Sequence, residues 1–292
     1  MKTFLYATTL CILSAASGLA QKNSPLQTSY HHQLRNDDGG NGSVSVDRFS
    51  FRGGVPLITE EDNILAVGFR YAMDRYDFNG TNAEWQAIHH ANIGLASRWQ
   101  VNDNWLWGNY AVAGISAEEG SDMGDGLNFN FISIAEYKFN DRLIIGPGVV
   151  IASQVDQGIN VIPIIAIKWQ ISDEWTFASG PSEVAAAGAN VYFEYTPKAL
   201  SEKWMFTSGF SYGSKNFKID DNSFVTDGSG EERIASAYLA ASFKMDSGVK
   251  ISAVGGYHFL QSYSIFDNNG SELSKEILED APYFGVSVGF EF

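Results

Sequence analysis

The sequence predicts an all-β chain: an antiparallel, transmembrane, up-and-down β-barrel of about fourteen strands, with about twelve as the alternative count. Three observations carry this reading. Apolar residues recur with period two and almost never with the period of a helix. Tight connections alternate along the chain with longer, acidic ones. The chain ends on a strand of strict alternation that finishes with an aromatic residue.

The period-two rows are explicit. Leu65, Val67, Phe69, Tyr71 and Met73 alternate with Ala66, Gly68, Arg70, Ala72 and Asp74. Leu127, Phe129, Phe131, Ala135, Tyr137 and Phe139 alternate with Asn128, Asn130, Glu136 and Lys138. Val249, Ile251, Ala253, Tyr257 and Phe259 alternate with Lys250, Ser252, Gly256 and His258. Such rows give each strand one apolar and one polar face. Expected strands fall at 27–35, 43–54, 63–77, 85–100, 104–117, 127–139, 142–153, 159–170, 174–180, 189–197, 203–218, 232–245, 249–265 and 282–292. The segments 27–35 and 174–180 carry the weakest pattern. Parity supports the second of them, because the strands at 159–170 and 189–197 both run toward the same end and something must cross back between them. No stretch reaches the roughly 18 consecutive apolar residues of a membrane helix.

The tight connections are 101–105, 140–142, 172–175, 201–204 and 246–248. They are rich in Asn, Asp and Ser, whose side chains bond the local backbone and tolerate left-handed angles. The longer ones are Asn36–Gly42, Asp77–Glu84, Glu118–Gly126, Asp220–Glu232 and Phe266–Asp280. In membrane barrels the short turns face the periplasm and the long loops face outward. The loops are short enough that no large plug domain is expected.

At the carboxy end, Phe284, Val286, Val288, Phe290 and Phe292 form one row and Gly285, Ser287, Gly289 and Glu291 the other. This terminal strand resembles the assembly signal of bacterial outer-membrane β-barrel proteins, a porin-like class. The overall pattern also resembles uncharacterised barrel families of unknown function. The resemblance implies a Gram-negative outer membrane, outer-membrane lipid around the apolar face, and the barrel assembly machinery as a partner.

The amino end agrees. Met1-Lys2, an apolar run from Phe4 to Leu13, and Gly18-Leu19-Ala20 read as a cleavable secretory signal over 1–20, leaving a barrel domain over 21–292. Cys11, the one cysteine, lies inside that signal, so the mature chain holds no disulfide and no thiol nucleophile. A net charge of −15 argues against nucleic acid, whose phosphates need basic patches.

Candidate chemistry lies on the polar row, which should line the lumen. Arg98, Lys138, Lys168, Lys203, Lys244 and Lys250 fall within a few residues of the short turns, joined by Glu136, Glu194 and Glu291. This basic collar at the inner mouth suits either a bias toward anions or a belt of mutually neutralised salt bridges. Trp85, Trp99, Trp105, Trp107, Trp169, Trp175 and Trp204 lie near strand ends and suit an aromatic girdle at headgroup level. No catalytic constellation is expected: His89 has no serine spaced for it, and His90 and His258 read as hydrogen-bonding lumen groups. The loop Asp267-Asn268-Asn269-Gly270-Ser271-Glu272 departs from the calcium-binding pattern, so neither metal nor cofactor is expected. The expected function is a passive channel or transporter for small hydrophilic solutes. The alternative is a non-transporting structural, adhesion or surface-interaction barrel.

Deleting Phe292, or replacing it with Lys, should block assembly while leaving secretion intact. Heat-modifiable migration of the variant on gels is the measurement, and migration like that of the wild type would refute the assignment.

Overall fold

A computed structural model describes residues 26–35, 42–60, 63–81, 85–156, 158–180, 182, 184–185, 188–221 and 225–290. The expected signal segment, Glu291 and Phe292 lie outside them.

The strands are β1 (Leu26–Gln33), β2 (Ser43–Glu60), β3 (Asn63–Asn79), β4 (Ala87–Gln100), β5 (Trp105–Glu118), β6 (Leu127–Asn140), β7 (Leu143–Gln154), β8 (Gly158–Gln170), β9 (Trp175–Ser179), β10 (Ala189–Tyr195), β11 (Trp204–Lys218), β12 (Ser229–Lys244), β13 (Val249–Phe266), β14 (Glu272–Ile277) and β15 (Ala281–Phe290). Each of β1 to β13 pairs antiparallel with its sequence neighbours, and β15 closes the ring between β13 and β1. β14 pairs only with β13, as a hairpin beyond the wall, so the barrel has 14 strands. The two weakly patterned segments are both real: β1 seats the closing strand, and β9, only 5 residues long, makes the crossing that parity demanded.

Register assigns the faces. The outward row carries Phe69, Ile93, Leu95, Phe129, Ile165, Phe210, Leu239, Val286 and Phe290, all exposed. An apolar belt of this extent suits hydrocarbon rather than water. Six of the seven tryptophans join it: Trp99, Trp105, Trp107, Trp169, Trp175 and Trp204 point outward at the ends of strands near the short turns. They form a girdle at one end only. Trp85 departs from the expectation. It is 3% exposed and packs inside the loop end, because the segment before β4 turns into the lumen.

The inward row is less polar than the alternation suggested. Ile132, Ile134 and Val150 are buried against Ile162, Ile164 and Ala166, so β6 to β8 line their side of the lumen with aliphatic groups. Inward glycines elsewhere leave room for rings. A Cβ on Gly230 would lie 2.4 Å from the Phe217 ring, and one on Gly256 would lie 2.5 Å from Tyr283.

The facing predicts an asymmetric cost of charge. Phe131 points outward in mid-strand, so Phe131→Arg should destabilise the barrel by about 2–4 kcal/mol while Phe131→Leu changes it little. Urea-dependent refolding into lipid vesicles measures the difference, and equal midpoints would refute the assignment.

Candidate functional site

Four ionised side chains meet inside the loop half of the lumen. Arg48 comes from β2, Asp74 from β3, Lys215 from β11 and Glu232 from β12, so walls distant in sequence are tied across the barrel. Arg48 donates from Nη1 to Asp74 Oδ2 at 2.7 Å and grips Glu232 with both terminal nitrogens, at 2.9 and 2.6 Å. Lys215 Nζ donates to Asp74 and lies 3.5 Å from Glu232. Tyr263 donates to Glu232 at 2.9 Å. All of these groups are buried, Glu232 being 1% exposed. The two cations and two carboxylates balance, which is the condition for holding charge away from water.

Histidines surround the network, and two of them pair with serine hydroxyls. His90 Nδ1 lies 2.9 Å from Ser116 Oγ and its Nε2 is 3.7 Å from Asp74. His258 Nδ1 lies 2.6 Å from Ser236 Oγ and its ring stacks on Tyr283 at 4.1 Å. Both face the lumen, whereas His89 faces outward and pairs with the Tyr71 hydroxyl at 2.8 Å.

Toward the loops the network is capped by an apolar cluster of Val44, Val46, Tyr76, Trp85, Ile88, Phe217, Ile219, Tyr263, Ile265 and Leu278. β11 leans across the mouth to reach it. Its last residue, Lys218, pairs in parallel with Ala117 of β5. Asn216 Oδ1 accepts from Val155 N at 2.7 Å, and Glu118 accepts from Asp220 N at 2.9 Å and from Gln86 N at 3.0 Å. In the surrounding loops a hydrogen bond from Lys218 holds Asp227 below its ordinary carboxylate range, whereas burial pushes Asp156 up.

Between β9 and β10, Val184 and Ala185 lie inside the lumen. Gly180 and Gly188, both with positive φ, flank their segment. A Cβ on Gly188 would lie 2.0 Å from the Tyr212 carbonyl oxygen, so only glycine fits that crossing. Within the segment Val184 is buried against Tyr192, Tyr238 and Tyr283. The sequence reading expected no plug domain and assigned this stretch no role.

Below the seal the lumen is hollow. A chamber of about 590 Å³ is bounded by Tyr110, Ile134, Ile144, Ile164, Ala166, Ala178, Tyr192 and Ser211, with Arg98, Glu136, Lys168 and Glu194 toward the short turns. The expected collar is dispersed around this end. Arg98 pairs with Glu136 at 3.2 Å, Lys138 with Asp141 at 3.0 Å, and Lys203, in a turn, with Asp246 at 2.7 Å. Lys168 is exposed into the chamber and makes no ion pair among the described residues. Lys244 and Lys250 sit opposite each other on β12 and β13. Of the expected assembly row, Phe284, Val286, Val288 and Phe290 lie on the outward face of β15.

Sequence reasoning missed the charge network. It placed Glu232 where an acidic outer loop meets the strand 232–245, whereas β12 begins earlier, at Ser229. The available signal was opposite charges recurring on inward rows at the same distance from the loop end. Among the described residues no group of three or more metal-ligating side chains occurs.

The match to one family model spans residues 27–292. The chain belongs to that family, described as Domain of unknown function (DUF6268). No curated protein matches it. Similar solved structures include a KdgM porin, at 9% identity with a TM-score of 0.36 over 90% of this chain and 99% of that one. A TodX deltaS2S3 mutant monoaromatic hydrocarbon channel is 8% identical, with a TM-score of 0.43 over 98% and 95%. A bacterial polysaccharide outer membrane secretin is 12% identical, with a TM-score of 0.41 over 91% and 97%. At these values the likeness says nothing about what binds or passes here.

Removing Arg48 leaves two buried carboxylates sharing one ammonium. Arg48→Met should therefore cost about 3–5 kcal/mol, read as a lower urea midpoint for unfolding from lipid vesicles. A midpoint equal to that of the wild type would mean that the four charges are not held together in the lumen.

Proposed function

We propose that this chain is an outer-membrane channel for small hydrophilic solutes whose lumen is shut at the outer end in the state described here. The carrying observation is the division of the lumen: hollow toward the short turns and sealed toward the loops by side chains and one short segment. A barrel of this circumference encloses more space than its wall side chains need fill. A purely structural barrel gains nothing from closing one half with ions. Buried ion pairs add little net stability over apolar packing, and once parted they take up water readily. A gate can use that property, whereas a permanent filling has no need of it.

In this reading the tight turns and the chamber face the periplasm, and the network lies toward the outside. The collar then biases the inner mouth. Arg98 and Lys138 are paired with carboxylates, so Lys168 is the collar residue that carries the preference for anions. The second reading, a non-transporting barrel, is favoured by the same seal if it never opens.

Planar-bilayer recording separates the two. The wild type should conduct rarely. Removing 182–186, or combining Arg48→Gln with Glu232→Gln, should give long-lived openings. In those open variants Lys138→Glu with Lys168→Glu should move the reversal potential in a salt gradient toward cations. Variants that assemble yet never conduct would reject the channel reading in favour of the structural one.

A further inference from the structure

Among the described residues the wall has a window. β8 pairs with β7 along its whole length, but with β9 only from Lys168 to Gln170. β10 begins opposite Tyr212, so β11 beyond that point has no β10 partner. Among the described residues, no strand therefore fills the loop half of the wall between β8 and β11. Val184, from the stretch between β9 and β10, packs inside the lumen. The window is framed below by the β9–β10 hairpin and above by the β7–β8 turn, where Val155 N reaches Asn216 at 2.7 Å.

The chamber reaches this window. Its boundary includes residues of both rows: Ile164 and Ala178 face the lumen, whereas Ile165, Val191 and Phe210 face outward, the last at 62% exposure. The hollow therefore passes through the wall at the depth of the apolar belt. Most of its lining is aliphatic and aromatic, with charged groups gathered toward the short turns: Arg98 and Glu136, which pair with each other, Glu194, and Lys168. Ser211 is a further polar group: it is 4% exposed, and its hydroxyl has no hydrogen-bond partner among the described residues. An apolar cavity of a few hundred Å³ with a few polar groups is the usual form of a small-molecule site.

From this continuity we infer that the chamber takes a single-chain amphiphile with a carboxylate head, entering sideways from the membrane. The apolar body lies along the β6–β8 wall, the head meets the Lys168 ammonium, and Ser211 donates a further hydrogen bond. Amphiphile entry does not depend on conduction: a barrel that never opens outward still has the window.

The experiment uses the full mature barrel in nanodiscs, with a dansyl-labelled undecanoate as probe. Saturable fluorescence enhancement above protein-free discs is expected. Lys168→Glu should weaken binding by about tenfold, whereas Lys168→Arg should preserve it. Ala189→Trp, at the lower edge of the window, should slow loading from the membrane by about tenfold or more without weakening binding at equilibrium. If that variant fails to assemble, Val191→Cys blocked after assembly with a bulky maleimide tests the same entrance, since the sole native cysteine is Cys11. Absence of saturable binding, or binding that neither the charge reversal nor the blocked window alters, would overturn the inference.

Discussion

Backbone pairing decides this structure. In hydrocarbon no water is available to an open strand edge, and each unsatisfied amide or carbonyl costs several kcal/mol. The sheet must therefore return to its beginning. β15 does this by pairing on one side with β13, from Val249 opposite Phe290, and on the other with β1, from Leu26 opposite Phe290. The closing strand is consequently the most constrained in pattern. Its outward row is large and apolar, and its inward row beyond Tyr283 is small: Gly285 sits where a Cβ would lie 2.4 Å from the His31 ring. Sequence, register and closure agree residue by residue there.

Closure at this strand number creates the second constraint, a lumen too wide to be filled by one ring of side chains. The two halves meet it differently. Near the loops the wall contributes ions, aromatic rings and a leaning β11, all held by cross-lumen contacts such as Arg48 to Glu232. Near the turns the wall contributes Ile134, Ile144 and Ile164, which project too little to meet one another across the space, and a chamber remains. Because the four-charge network lies in the sealed half, opening that half would exchange its ion pairs for hydrated ions, whereas opening an apolar plug would expose grease to water. The ionic part of the seal is thus the part least costly to hydrate, beneath an apolar cap.

How much of this could be read in the chain depends on whether a feature is local. Strand positions, face assignment and the order of short and long connections were legible because period two and turn residues act over a few positions; even β1 and β9 were found, the latter through parity. The outward facing of Trp99, Trp169 and Trp204 followed from shared rows with apolar neighbours; that of Trp105 and Trp107 did not. The network did not follow. Arg48 and Glu232 are 184 residues apart, and nothing in local spacing brings them together. The inward path of the segment after β9 was also hidden. Gly180 and Gly188 mark its ends, but glycine alone does not say whether a loop turns in or out. Trp85 misled for the same reason: proximity to a loop was taken as proximity to headgroups.

One place in the wall departs from the closure rule. Along Gly158–Ile164 no strand pairs with β8 on its β9 side among the described residues. Ser179 repairs part of the edge lower down, accepting from Ile167 N at 2.8 Å and donating to the Ile165 carbonyl at 3.2 Å. Above it stands Pro163, a residue with no amide hydrogen to offer and one tolerated in sheets mainly at edges. Irregular or unpaired backbone at membrane depth survives only where protein covers it or where it borders a cavity. The chamber bordering Ile164 and Ile165 supplies that condition. The edge and the hollow therefore require each other: strands completing β9 and β10 would close the wall and fill the opening, and without the hollow the bare edge of β8 would stand in lipid.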